Sequence, residues 1–215
     1  MPPREPTTDA AASSRRSRSR ARIRDAMLPV IEAELRRGLA YSDIAIRTLT
    51  EQGDVPRSTF YLNFADKTDL LRACADHVLT ETTGWAAAWW ELGEDITREA
   101  LHDALARAMA RYLPRAPLMA AVYDGARYDD TLRDAVERIT GELVGRVEEH
   151  LVRGQAGGWV DPTLLPHEAA SWIMWMYERT QHQEMRHADD ATIDRLVDAG
   201  THLLWRTLYA PARRA

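Results

Sequence analysis

A chain of 215 residues, 45% of them hydrophobic and 28% charged, is long enough to bury a sizeable core, as one large domain or as a small domain joined to a larger one. Its longest charge-free apolar stretches, GWAAAWW and AASWIMWMY, fall well short of the roughly 20 residues of a membrane span, and Arg24 and Asp25 interrupt any apolar run behind the basic N-terminus. A membrane partner and a secretory signal are therefore not expected. Cys74, the only cysteine, excludes an internal disulfide and a multi-cysteine zinc site, and it fits a cytoplasmic protein.

The net charge of −5 hides an asymmetry: residues 15–70 carry 11 basic and 8 acidic side chains, whereas residues 71–215 carry 16 and 23. Six arginines fall within residues 15–24. A positive end on an acidic body points to a polyanion partner for that end alone. Of the 28 basic residues, 27 are arginines, and the one lysine is Lys67.

In chain order, residues 1–19 read as a disordered basic arm rich in Pro, Ala, Ser and Arg. A helix follows from about Arg20 to Arg37, with Ile23, Met27, Ile31 and Leu35 on one stripe and Gly38 as its stop. Pro29 lies inside it and is expected to kink or divide it. Two short helices are expected at about 44–52 and 56–63, separated by GDVP, and Asp66 caps a long helix, with Asp69 as its reciprocal partner. Further helices are expected at 96–113, 117–124, 130–153, 166–186 and 190–209, with no strand-like alternation. The expected fold class is all-α: a three-helix helix-turn-helix domain over 20–70 and a larger helical domain over 71–215.

Three short helices with a tight turn between the last two place the final helix in the major groove of DNA. In RSTFYLNF (57–64), Phe60 and Phe64 are expected to point inward. Arg57, Ser58, Thr59, Tyr61 and Asn63 are expected outward, offering hydrogen-bonding groups without anionic charge. Lys67 stands in the first turn of a helix, where the dipole disfavours a cation, and a nearby phosphate would explain it.

The stretch YSDIAIRTLTEQGDVPRSTFYLNFADKTDLL (41–71) resembles the N-terminal domain of the TetR family of bacterial transcriptional regulators, with Leu49, Val55, Thr59, Tyr61, Phe64, Lys67 and Leu70 on the family pattern. The resemblance implies DNA contacts at Arg47, Arg57, Ser58, Thr59, Tyr61, Asn63 and Lys67, with Lys67 on a phosphate. Three positions depart from the pattern: Asp54 stands at the turn glycine, Pro56 at the capping hydroxyl, and Ala45 at the second helix's usual Ser or Thr.

In the second half, residues 169–177 are apolar almost all round their helix, and the last helix carries a long apolar seam. A homodimer through these two helices is expected, placing two reading helices on a roughly palindromic operator. TLLPHEAA, the 176–180 string MYERT and YSDI are similar to the EthR-like (ethionamide-resistance repressor) subgroup of the same family. That similarity implies a tunnel for a hydrophobic or amphiphilic small-molecule effector. The lining candidates are Trp85, Trp89, Met109, Tyr112, Met119, Tyr123, Met174, Trp175 and Tyr177, with Trp172 as a residue that fills part of the space.

Catalysis finds little purchase. The two Glu-x-x-His strings, Glu99/His102 and Glu184/His187, lie on a polar face and at a helix end, and Glu178 with His182 lacks a third metal ligand. No enzyme activity, cofactor or metal is expected. The expected function is a sequence-specific regulator, a repressor released by a hydrophobic ligand. The alternative from another class is a helical carrier of hydrophobic ligands that does not bind specific DNA.

Overall fold

The computed structural model describes residues 8–184, 188–210 and 212, with backbone alone at 8–13, 82, 83 and 85. Among the described residues there are helices and turns and no strand: α1 (Thr8–Arg36), α2 (Ile46–Gln52), α3 (Arg57–Asn63), α4 (Lys67–Trp90), α5 (Arg98–Tyr112), α6 (Ala116–Ala126), α7 (Asp130–Ala156), α8 (Pro166–Gln183) and α9 (Asp190–Leu204). The chain forms two compact units. One comprises Met1–His77 with Pro117–Leu132, the other Val78–Ala116 with Arg133–Ala215. The 117–132 segment thus belongs with the first unit, in contrast to a single cut near residue 70.

In the first unit, α1 starts at Thr8, well ahead of Arg20, so the arginine-rich stretch is helical. Its Ala-rich opening supplies strong helix formers, and arginine itself is one. Residues 1–7 of the expected arm lie outside the described residues. Pro29 does not divide α1. It withholds one N–H from the Asp25 carbonyl, while Met27, Leu28, Val30 and Ile31 around it are all buried. Core packing outweighs the one lost hydrogen bond.

Helices α2 and α3 pack on α1 and on each other. Leu49, Phe60 and Phe64 are buried at their centre. The turn between them is made by Gly53 and Asp54. Asp54 takes the left-handed conformation (φ 51°) that aspartate tolerates, and the Val55 amide closes the turn onto the Thr50 carbonyl at 3.0 Å. Neither short helix has a side-chain cap, since Ala45 and Pro56 offer none.

The start of α4 is capped as its sequence implies. Asp66 accepts from the Asp69 amide at 2.8 Å, and Asp69 accepts from the Ala65 amide at 3.0 Å. Further along, the Arg72 guanidinium grips Asp129 through Nε and Nη2, and Asp129 in turn caps α7 at the Leu132 amide. This pair ties the 117–132 segment to α4 within the first unit.

In the second unit α5 packs along α9. Thr97 caps α5 at the Ala100 amide and Asp189 caps α9 at the Thr192 amide. After Leu204 the chain widens into a π-turn over Trp205–Tyr209. That turn delivers Tyr209 to the interior, fully buried, where it meets Trp89 and the equally buried His150.

Candidate nucleic-acid interface and effector cavity

The candidate interface is the exposed side of α3 together with the adjoining side of α2. Phe60 and Phe64 turn inward, and their rings lie against one another with centres 5.7 Å apart and planes tilted by 34°. Spacing along a 3.6-residue turn then leaves Arg57, Ser58, Tyr61 and Leu62 in solvent, with Thr59 half-buried. The Arg57 guanidinium sits 5.7 Å from the centre of the Tyr61 ring, so the two side chains form one surface. Arg47 is exposed on α2 and pairs with Glu51 one turn on, at 2.7 Å. An exposed pair of this kind is weak, so the guanidinium is available to a stronger anion. Leu62, 75% exposed, belongs to this face and was not among the expected contacts. An apolar side chain left in water beside arginine and tyrosine was its only signal.

Two expected contacts are placed otherwise. Asn63 is buried, and its amide donates to the Thr59 carbonyl at 2.9 Å within α3. It stands three residues from Phe60 and beside Phe64, on the margin of the inward face, so polarity misled where angle would not. Lys67 spends its ammonium on backbone. It donates to the carbonyls of Ser42 at 2.6 Å, Ile44 at 2.7 Å and Tyr41 at 3.3 Å, in the 3-10 turn Tyr41–Asp43 and just after it. Burial lowers its pKa, with the Asp43 charge opposing.

Arg20, one of the six arginines within residues 15–24, also faces inward. It forms a fork with Asp69 (2.7 and 3.1 Å), donates to the Asn63 carbonyl at the end of α3, and lies 4.5 Å from the centre of the Phe64 ring. The pairing raises the Arg20 pKa and lowers that of Asp69.

The second unit holds an apolar cavity of about 170 Å³, walled by the end of α4 and by α5, α8 and α9. Of the candidates, Trp89, Met109, Met174 and Tyr177 are among its lining residues, together with Trp90, Ile173, Thr180, Leu196, Gly200 and Leu203. Among the described residues, no acidic or basic side chain is in its walls. Among the described lining residues, Tyr177 and Thr180 offer a hydroxyl. Thr180 spends its own on the Met176 carbonyl at 2.8 Å, and the Tyr177 phenol, pushed up to about 12 by burial, bonds Gln181.

Other lining candidates fall elsewhere. Tyr112 is buried in the second unit but is not among the lining residues, and Met119 and Tyr123 belong to the first unit. Trp175 is 67% exposed and Trp172 78% exposed, so neither enters the cavity. Ala170, Ile173, Met174 and Tyr177 form the inner face of α8, and the two tryptophans stand on the opposite one. The Trp85 side chain lies outside the described residues, as does His187 of the second Glu-x-x-His string. His102 of the first string lies 3.2 Å from Asp198 of α9. No group of three or more His, Cys, Asp or Glu suited to a metal occurs among the described residues, and no helix among them is long and apolar enough to cross a membrane.

No family model and no curated protein matches the sequence. Solved structures match the fold throughout. A protein assigned to the TetR family of transcriptional regulators from Mesorhizobium loti aligns with a TM-score of 0.69 at 16% identity, over 91% of this chain and 99% of its own. A protein assigned as a transcriptional regulator from Saccharomonospora viridis, in complex with choline, aligns at 0.71 with 14% identity, over 90% and 98%. The transcriptional regulator FadR from Bacillus subtilis, in complex with stearoyl-CoA, aligns at 0.64 with 18% identity, over 86% and 96%. The chain therefore has the all-helical fold of TetR-family regulators. The matches lend no support to the narrower EthR-like subgroup.

Proposed function

We propose that the protein is a dimeric, ligand-responsive regulator of transcription that binds a roughly palindromic DNA operator and is released from it by a hydrophobic small molecule. The observation that carries this reading is the face formed by Arg47, Arg57, Ser58, Thr59 and Tyr61. It is exposed or half-exposed on a helix-turn-helix and free of acidic side chains except Glu51 at its edge. Such a face suits phosphates and base edges and has no purpose in a carrier.

The effector is uncharged where it is buried. A charge placed among walls without an ionisable partner loses its hydration and gains nothing in return. Tyr177 is the hydrogen-bonding group best placed to orient it. Helix α4 runs unbroken from Lys67, beside the reading unit, to Trp90 at the cavity wall, and it is the natural carrier of a ligand signal. Operator and effector then oppose one another by a single reciprocal coupling free energy. Trp172, Trp175 and Leu203, exposed on α8 and α9, supply the apolar surface that a second copy would cover.

The test is fluorescence anisotropy of the full chain on the DNA upstream of its own gene, beside a random duplex and the Tyr61→Ala variant. Tight binding to the upstream duplex alone, lost in the variant, supports the reading. Equal, weak binding to both duplexes, indifferent to Tyr61, sinks it.

A further inference from the structure

We propose that Lys67 is a positioning residue of the reading unit: its ammonium holds the turn that launches α2 and makes no phosphate contact. The inference rests on the DNA-binding reading above but is argued from the protein alone. An ammonium has three N–H donors. Here three carbonyls, those of Tyr41, Ser42 and Ile44, lie within 3.3 Å of Nζ. Its donors are therefore already matched one to one with acceptors, and a phosphate would have to displace one of them.

The grip is reciprocal. The Tyr41 phenol donates to the Lys67 carbonyl at 2.6 Å, and Nζ stands 5.8 Å from the centre of the Tyr41 ring. The two residues thus bind each other's backbone, α4 to the 3-10 turn and the turn to α4.

The turn needs this hold. Ala45 at the head of α2 accepts no amide through its side chain, and the preceding 3-10 turn has no side-chain cap either. A capping hydroxyl normally fixes the entry of a helix. Here the chain's path into α2 is fixed from outside, by a cation gathering the carbonyls of the turn. The misplaced positive charge at the N-terminal end of α4 is also accounted for, since carbonyl dipoles offset the unfavourable helix dipole.

The residue type follows from the same geometry. The carbonyls of 41, 42 and 44 converge on one point, which suits a compact, rotatable ammonium. A guanidinium spreads its donors in a plane and cannot gather three converging oxygens. In a sequence with 27 arginines, this is the position where lysine stands.

The experiment compares wild type with Lys67→Met, Lys67→Arg and Tyr41→Phe in two measurements: amide exchange of the free protein, and binding to the upstream duplex over a salt series. A positioning role predicts that Lys67→Met and Lys67→Arg both speed exchange at the Asp43 and Ile44 amides by about tenfold or more without DNA. Both variants bind the duplex several-fold more weakly at every salt concentration, with the wild-type slope of log affinity against log salt. A phosphate role predicts unchanged exchange, near-normal binding by Lys67→Arg, and a slope reduced by about 1 in Lys67→Met; that result overturns the proposal. Tyr41→Phe guards against a Lys67→Met chain that fails to fold. It removes only the return bond, so faster exchange at the same two amides supports the clasp, and unchanged exchange in it and in Lys67→Arg overturns it. Equal binding of wild type to upstream and random duplexes overturns the regulator reading alone, and exchange at Asp43 and Ile44 still decides whether Lys67 holds the turn.

Discussion

His150 Nε2 and the Tyr209 phenol oxygen lie 2.7 Å apart inside the second unit, and their neighbours decide which of them carries the shared proton. The Trp89 indole can only donate, and it donates to the same phenol oxygen at 2.9 Å. The phenol hydrogen therefore points at Nε2, which accepts it, and His150 keeps its own proton on Nδ1 for the Trp90 carbonyl at 3.1 Å. The network is satisfied only while the imidazole is neutral. Trp89 and Trp90 also line the cavity, so the polar core and the candidate ligand site share two residues.

This arrangement predicts a loss of stability in mild acid. The His150 pKa is pushed down to about 4, chiefly by burial, with the Trp90 carbonyl opposing and the Arg153 charge adding. An unfolded histidine titrates near 6.5, so between those values the unfolded chain binds the extra proton and the folded one does not. Stability is complete above about pH 6.5 and falls as pH drops toward 4, by about 3 kcal/mol from this one residue. Urea unfolding at pH 7 and pH 4.5 should show the difference. His150→Gln, which keeps hydrogen-bonding groups but does not titrate, should be less stable at pH 7 and lose less on acidification. Equal losses in both proteins would dismiss the assignment.

The turn between α2 and α3 yields opposite expectations at adjacent residues. A Cβ added at Gly53 would stand 2.7 Å from the Leu49 carbonyl oxygen and 3.4 Å from that of Ala26, both backbone atoms with little freedom to retreat. Gly53→Ala should destabilise the protein by about 1–3 kcal/mol and weaken DNA binding with it. Asp54 is held at φ 51°, which aspartate tolerates but glycine adopts at no steric cost. Asp54→Gly should be neutral or stabilising by up to about 1 kcal/mol. Thermal unfolding of the two variants checks both signs at once.

Much of this was legible from spacing. Phe60 and Phe64 four residues apart fixed the inward side of α3, and Asp66 with Asp69 marked where α4 begins. Periodicity locates an apolar face and leaves open what lies against it. Residues 169–177 read as apolar all round, yet only the fold separates Met174 and Tyr177, which line the cavity, from Trp172 and Trp175, which face solvent. The Lys67 clasp depends on three backbone carbonyls more than 20 residues away, and no side-chain pattern encodes where a carbonyl points. Tyr209 was hidden for a related reason. A π-turn at Trp205–Tyr209 shifts it off the register of α9.

The outer face of α8 predicts self-association. Trp172 and Trp175 are exposed on it, and Met176 on α8 and Leu203 on α9, which also line the cavity, are partly exposed as well. Large apolar side chains grouped in this way are costly in water and are normally covered. Trp172→Glu with Trp175→Glu changes two exposed side chains, so the fold should survive while the dimer does not. Sedimentation velocity at micromolar concentration should give a dimer for wild type and a monomer for the double variant. A wild-type monomer would remove the basis for a two-half-site operator.

The cavity can be filled without disturbing its walls. Gly200 lines it from α9, and a Cβ built there meets nothing within 4 Å. Replacing a helical glycine also recovers about 0.8–1 kcal/mol of intrinsic propensity. Gly200→Leu should therefore leave thermal stability equal or higher while occupying the space a ligand needs. N-phenyl-1-naphthylamine, a neutral hydrophobic probe, should brighten with wild type and do so far less with the variant. If the ligand acts through this cavity, the variant should bind the upstream duplex as wild type does yet resist release by any hydrophobic effector that dislodges the wild-type protein. Normal release from Gly200→Leu would place the effector elsewhere in the molecule, because the filled cavity would then have no part in the coupling.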